Sequence, residues 1–597
     1  MAAADNSPLP VCAPCEPGLP CAPAAPAGAP CPVLLVAAPS SGQGKTTVTA
    51  ALARFWSRQG LRVQVFKCGP DFIDAGWHAL ASGQSVYQLD LWMAGAAACR
   101  AMLQHACMHN DVVLVEGVMG LFDGEPSSAD VAVQFGLPVL AVVDAGRMAG
   151  TLGAVIYGLQ HYQQGLPWAG VLANRVASAN HAQMLRESLR EPAHWLGGIA
   201  RSEAFTLGSR HLGLLQAHEL HDALQRLDAA ADALADTPMA TMSAAQLQQF
   251  RPSRLWEGQA SGSAAASTAD TAPISRPSGA SLGTANRTPS STANGAPSAT
   301  SNATPHGVLS AYLQTQIPSP ILQGRTIAIA RDAACCFIYP ANLETLQALG
   351  AKLVFFSPLA DASLPACDAL WLPGGYPELH LPQLAANTAM RQSVAQHIAA
   401  GKPVWAEGGG MLLLCQSIAP AQAASATPAQ SHAASAPQAA TQAIPTPAAE
   451  QPAWGILPAT AHMHSRLQGL GLQALVEPAV TAAGGAQELD NAQATGAQGA
   501  EPQHPPLRGH TFHYASISTA LPELARTTSA RANSRNQAGE ALYQYGPAGN
   551  VWASHFHPWF ASSPQAAAQL FLPRLQTPLA DHPETHNPTP PCSPTTN

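Results

Sequence analysis

Near-continuous apolar runs recur through the first part of the chain: "PVLLVAA" from Pro32, "LRVQVFKCGP", "DVVLVEG" and "LPVLAVVDA", continued by "WAGVLANRV" and "WLGGIA". Helix-spaced segments lie between most of them, notably 47–59 and 94–107. Strands that are apolar on both faces and alternate with helices predict a parallel sheet covered on both sides. This block is expected to span 31–228. The same logic returns in "GRTIAIARDAA", "AKLVFFSP", "ACDALWLPGG" and "GKPVWAEGGGMLLLC", with "GHTFHYAS" and "NVWASHFHPWFAS" supplying late strands and loops. That second block is expected to span 321–577. The predicted fold class is therefore α/β, with two parallel-sheet, three-layer domains.

Between and around these blocks the pattern disappears. Residues 1–30, 229–320, 417–450, 482–505 and 578–597 are rich in Ala, Pro, Ser, Thr or Gln and nearly free of periodic large apolar side chains. Such stretches cannot offset the entropy of ordering. They are expected to be a leader, a linker, two inserts and a tail.

Charged residues make up 11% of the 597-residue chain, against roughly 25% in ordinary soluble domains. The net charge of -8 and the lack of a basic stripe argue against nucleic acid as a partner. No apolar run is long enough to span a membrane, and the first thirty residues do not have the layout of a signal peptide. The twelve cysteines form no regular framework. Cys12 and Cys15 make a CxxC with no second metal-binding pair, and the adjacent Cys335 and Cys336 read as core. A reduced, cytoplasmic protein is expected.

The sharpest chemical signal is "APSSGQGKTT", which follows an apolar strand and opens a helix. Small residues let consecutive backbone N–H groups wrap phosphate oxygens, and the helix start adds favourable dipole. Ser41, Gly42, Gln43, Gly44, Lys45, Thr46 and Thr47 would hold ATP. Lys45 would reach the outer phosphates, and Thr46 would bind Mg2+. The strict GxxxxGK[ST] pattern is not met, since Pro39 stands at its first glycine. A plain Gly/Ser turn with an exposed lysine is the alternative. Asp71 and Asp74 follow the second strand, Glu116 ends the third, and Asp123 lies in the loop beyond it. Strand ends on one edge of a parallel sheet converge on a ligand crevice. Asp71 and Glu116 are thus candidate metal ligands, with Asp123 a candidate loop-shaping residue.

These motifs, with "FKCGPDFIDAGWH", "YQLDLWM", "VEGVMGLFDG", "NRVASANH" and "RHLGL" in the first block, resemble the cobyrinic and hydrogenobyrinic acid a,c-diamide synthase family. The second block adds "LPGGYPELH", "GHTFHYAS" and "ASHFHPWFASSP". The resemblance implies a P-loop synthetase domain followed by a class I glutamine amidotransferase-like domain. It further implies ATP and Mg2+ as cofactors, a corrin-ring polycarboxylate as substrate, glutamine as nitrogen source and a homodimer. Two acetate carboxylates, a and c, would be phosphorylated and then amidated. Lys45, Asp71 and Asp74 would be catalytic, and Asp74 and His78 would lie near the acceptor. For His78, a helix-start histidine without function is the alternative.

The second block departs from the family at one place. The family's nucleophile turn reads Ala-Glu-Cys-Gly-Gly, whereas here Ala406 and Glu407 are followed by Gly408, Gly409 and Gly410. His557 matches the catalytic histidine, with His555 and His510 nearby, and Gly374 and Gly375 match the oxyanion loop. Cys415 lies seven residues beyond Gly408, roughly 10 Å along a helix, and reads as a core thiol. ATP-dependent amidation with impaired or absent glutamine use is therefore expected, with free ammonia or a separate glutaminase as the source. A divergent amidoligase on a related tetrapyrrole and a ParA-like ATPase switch are the remaining alternatives.

Overall fold

The computed structural model describes residues 31–205, 209–210, 213–214, 217, 220–257, 307–420, 449–476, 504–530 and 538–573. The expected leader with Cys12 and Cys15, the tail, most of both inserts and the middle of the expected linker lie outside the described residues. Contacts divide the chain into two compact units, with the change-over at Gln316.

The first unit runs β1 (Val33–Ala37), α1 (Lys45–Arg58), β2 (Val63–Cys68), α2 (Ile73–Ser82), β3 (Tyr87–Leu89), α3 (Gly95–His109) and β4 (Val112–Glu116). It continues α4 (Ser128–Phe135), β5 (Val139–Asp144), α5 (Thr151–His161), β6 (Trp168–Val176), α6 (Ala179–Glu187) and β7 (Trp195–Ala200). The strands form one sheet in the order β3-β2-β4-β1-β5-β6-β7, and every pairing is parallel. The apolar runs are the strands because both faces are covered. Val33, Leu35, Val113, Leu114 and Leu140 are fully or almost fully buried.

The expectation of a linker beginning at 229 is corrected. Helix α7 (Ala223–Asp232) carries the chain past that point, and α8 (Ala244–Leu247) follows. Leu227, Leu234, Met239, Leu247 and Phe250 join the same core cluster as Leu34 and Trp56. Sparse apolar residues in an alanine-rich setting are enough here, because each lands on an existing core. Arg54 also pairs with Asp228 at 2.7 Å. At the far end, α9 (Ser310–Gln316) is helical, with Leu313 buried.

In the second unit a mixed sheet is built from β8 (Thr326–Ala330), β9 (Lys352–Phe356), β10 (Ala369–Leu372), β11 (Val404–Glu407), β12 (Glu523–Arg526), β13 (Ala541–Tyr545) and β14 (Val551–Ser554). Its order is β9-β8-β10-β11-β14-β13-β12. The pairs from β9 to β14 are parallel, and the two pairs at the β12 edge are antiparallel. Core residues on the two faces include Trp371, Trp405 and Phe560 on one side and Leu372, Leu413 and Val551 on the other. A smaller sheet pairs Gly469–Leu475 with Leu507–His513, and Leu507–His513 with His557–Pro558.

Candidate active site

The segment 38–44 links β1 to α1 and turns on glycines in the left-handed region, Gly42 at φ 81 and Gly44 at φ 96. Ser41 and Gly42 face solvent. A side chain at Gly44 would be blocked as well, since its Cβ would sit 2.2 Å from Asn174 Nδ2. Asn174, at the end of β6, donates that nitrogen to the Gln43 carbonyl at 2.9 Å. The Gln43 Oε1 in turn accepts the Asp144 N–H at 2.7 Å. The loop is thus tied to the ends of β5 and β6. Asn174 was not singled out from sequence. Its signal was a polar residue closing the apolar run "GVLA" in "WAGVLANRV", within the quoted phrase "NRVASANH".

Lys45 is buried and donates to the Met119 carbonyl. Burial lowers its pKa, with Glu116 acting in the opposite direction. Thr46 Oγ1 donates to Glu116 Oε1 at 2.8 Å, so the first helical turn and the end of β4 meet. Glu116 has no exposure. Its other oxygen contacts His78 Nε2, and Lys67 Nζ lies 3.2 Å from Oε1. Burial alone would raise the Glu116 pKa, but Lys67 and His78 outweigh it and hold the carboxyl down at about 2.

Lys67 is the next-to-last residue of β2 and also pairs with Asp74 Oδ2 at 2.8 Å. Burial works against its charge, yet Glu116, Asp74 and Asp71 together raise its pKa. Asp71 accepts the N–H groups of Ile73 and Asp74 at 2.8 and 3.0 Å, which fastens the start of α2. Burial first, and then the Asp74 charge, push its pKa up to about 7. His78 lies within α2 rather than at its start and is fully buried against Glu116. Asp123 accepts the Gly120 N–H at 2.8 Å. A Cβ at Gly120 would lie 2.7 Å from the Pro39 carbonyl, so Asp123 shapes a loop that rests on the segment after β1.

Hydroxyl and carboxylate oxygens at Thr46 and Glu116 suit Mg2+, which takes one or two protein oxygens and completes its shell with phosphate and water. Among the described residues no group of three or more His, Cys, Asp or Glu side chains is arranged to hold a metal by itself. Asp71 belongs to the same charged cluster, but the described hydrogen bonds of its carboxylate come from backbone N–H groups.

In the second unit Gly408 stands between β11 and the helix α10 (Gly409–Leu414), at φ 50 and ψ -118. A Cβ there would lie 2.6 Å from His557 Cε1 and 2.7 Å from its Nε2. A Cβ at Gly374 would lie 2.4 Å from the same Cε1. The imidazole is therefore packed over two glycines. Its Nδ1 lies 3.8 Å from Glu407 Oε1, while Glu407 Oε2 accepts the Trp405 indole N–H at 2.9 Å. His510 stacks on His557 with ring centroids 5.1 Å apart and contacts the Tyr339 hydroxyl at 3.1 Å. His555 stacks on His513 at 3.7 Å, and neither of its nitrogens has a hydrogen-bond partner among the described residues. Burial drives the pKa of both His510 and His555 well below the usual range.

Cys415 is not on the helix, which ends at Leu414; it begins the strand Cys415–Pro420. It is fully buried, and burial pushes its thiol up to about 12. Cys335 is likewise a buried core thiol. No helix among the described residues is long and apolar enough to cross a membrane.

Residues 34–214 match the CobQ/CobB/MinD/ParA nucleotide binding domain, and residues 326–565 match the CobB/CobQ-like glutamine amidotransferase domain. The hydrogenobyrinate a,c-diamide synthase of Pseudomonas aeruginosa is 41% identical over 546 residues, covering 91% of this chain and 98% of that protein. The enzyme of the same name from Stutzerimonas stutzeri is 42% identical, covering 91% of this chain and 99% of its own. The cobyrinate a,c-diamide synthase of Herminiimonas arsenicoxydans is 36% identical, covering 91% and 97%. With both domains matched and relatives covered almost end to end, the chain belongs to the a,c-diamide synthase family of amide-forming ligases.

Proposed function

We propose that this chain uses MgATP to amidate the a and c acetate carboxylates of hydrogenobyrinic or cobyrinic acid, taking nitrogen from ammonia rather than from glutamine. Lys45, Thr46 and the segment 41–47 hold the triphosphate, and Thr46 and Glu116 offer oxygens to Mg2+. An acceptor carboxylate oxygen attacks the γ-phosphorus, and the bond to ADP breaks with its electron pair leaving on ADP. Ammonia then attacks the carbonyl carbon of the acyl phosphate, loses a proton, and phosphate departs. Phosphorylation is needed because oxide is a poor leaving group. The P-loop supplies positioning and charge neutralisation, the usual protein contribution to phosphoryl transfer.

The observation that carries the synthetase half is the meeting of Thr46 with Glu116 beside Lys45 at one sheet edge. The choice of ammonia rests on Gly408. The backbone elbow is present, but the position bears no thiol, and Cys415 is a buried strand residue. A separate glutaminase as ammonia donor, a homodimeric assembly and a cytoplasmic location belong to the same proposal. The test is incubation with ATP, Mg2+ and hydrogenobyrinic acid, with glutamine or ammonium, followed by mass spectrometry for replacement of OH by NH2. ATP hydrolysis without amide under either condition would favour a ParA-like switch instead.

A further inference from the structure

We propose that Lys67 is the residue that captures the acceptor carboxylate, and that Asp74 occupies its ammonium until the acceptor displaces it. This rests on the reading of the first unit as the carboxylate-activating centre. Lys67 stands at the end of β2, next to β4, where Glu116 meets Thr46. Its side chain is 4% exposed and touches carboxylates on two sides, Asp74 at 2.8 Å and Glu116 at 3.2 Å. These two contacts differ in kind. Glu116 is sealed, with no exposure, and is held also by Thr46 and His78. Asp74 lies on the first turn of α2 with its side chain 17% exposed, and its only described side-chain partner is Lys67. Asp74 is thus the outward-facing carboxylate over an inward-facing cation.

An acetate side chain of a substrate carries the same functional group as Asp74. A fourth carboxylate added to this cluster would be repelled by Glu116, Asp74 and Asp71. One that replaced Asp74 on Lys67 would keep the ammonium paired, while Asp74, partly exposed on the first turn of α2, would turn toward water. The exchange would place the acceptor oxygen beside the Thr46–Glu116 pair, where the triphosphate is held. Lys67 suits this role because an ammonium offers rotatable donors that can pass from one carboxylate to another.

The test uses the full-length chain. Binding of hydrogenobyrinic acid is followed by tryptophan fluorescence, and binding of a magnesium complex of a non-hydrolysable ATP analogue by calorimetry. Loss of a charge-assisted hydrogen bond in Lys67→Met should weaken tetrapyrrole binding roughly tenfold or more, with nucleotide binding within about threefold of wild type. Lys67→Arg should retain part of the affinity. Asp74→Asn should tighten tetrapyrrole binding, because the competing charge is removed. Wild-type affinity for the tetrapyrrole in Lys67→Met, or weakening in both Lys67→Met and Asp74→Asn, would overturn the proposal. If Lys67→Met fails to fold, the sign of the Asp74→Asn effect decides. If wild type binds the nucleotide but no tetrapyrrole, the underlying functional reading fails, and this inference fails with it.

Discussion

Substituting Gly408 tests both the geometry and the chemistry of the second unit. An alanine there places Cβ 2.6 Å from His557 Cε1, about 0.8 Å short of ordinary contact. It also puts an L-residue at φ 50 and ψ -118, outside the comfortable left-handed region. Overpacking a filled site costs about 1–3 kcal/mol, and backbone strain of this kind about 1–3 kcal/mol. Gly408→Ala should therefore destabilise the unit by roughly 2–6 kcal/mol, a fall in Tm of roughly 5–20 °C, read by scanning fluorimetry. A Tm within about 2 °C of wild type would show that the imidazole does not press on this position. Gly408→Cys should show the same steric cost and a gain. If His557 retreats by about 0.8 Å toward Glu407, its Nδ1 moves from 3.8 Å into hydrogen-bond range. A thiol, an imidazole and a carboxylate would then be aligned. Glutamine hydrolysis, measured as glutamate release, should be undetectable in wild type and measurable in Gly408→Cys. Equal rates in the two proteins would refute the reasoning.

Three further outcomes follow from the same structure. Asn174→Ala removes the bond to the Gln43 carbonyl and should weaken nucleotide binding about tenfold by calorimetry, the worth of one or two hydrogen bonds. Glu116→Gln leaves Lys67 and His78 beside a neutral group. It should lower stability by about 3 kcal/mol, seen as a lower chemical-denaturation midpoint, and abolish amide formation. The second unit should lose stability as pH falls from 6.5. Burial holds the His397 pKa down at about 4, so the unfolded chain binds the proton first. The associated stability is complete above 6.5 and drains away toward pH 4, by at most about 1.4 kcal/mol per pH unit. His397→Gln should make that part of a Tm–pH profile shallower, the remaining slope coming from His510 and His555, which burial lowers in the same way.

The sheet of the first unit was legible because its strands are apolar on both faces, and the phosphate-binding turn because glycine and lysine have few other uses between a strand and a helix. Lys67 was hidden for the opposite reason. In "LRVQVFKCGP" a lysine at a strand end reads as the point where the chain reaches water, whereas Asp74 and Glu116 close over it. Their convergence depends on which strands are neighbours, and β2 beside β4 cannot be read from order in the chain. Composition misled at 229–257, where alanine masks Leu234, Met239 and Phe250. The absence of a nucleophile at Gly408 was plain in the sequence, but not that His557 fills the space a side chain would need.

The most direct measurement is a paired amidation assay on wild-type chain with hydrogenobyrinic acid, ATP and Mg2+, one arm supplied with ammonium and the other with glutamine. Mass spectrometry should find one and then two OH-to-NH2 replacements with ammonium, and none with glutamine. Equal product in the glutamine arm would contradict ammonia as the nitrogen source, and absence of product in both arms would contradict the amidation chemistry itself.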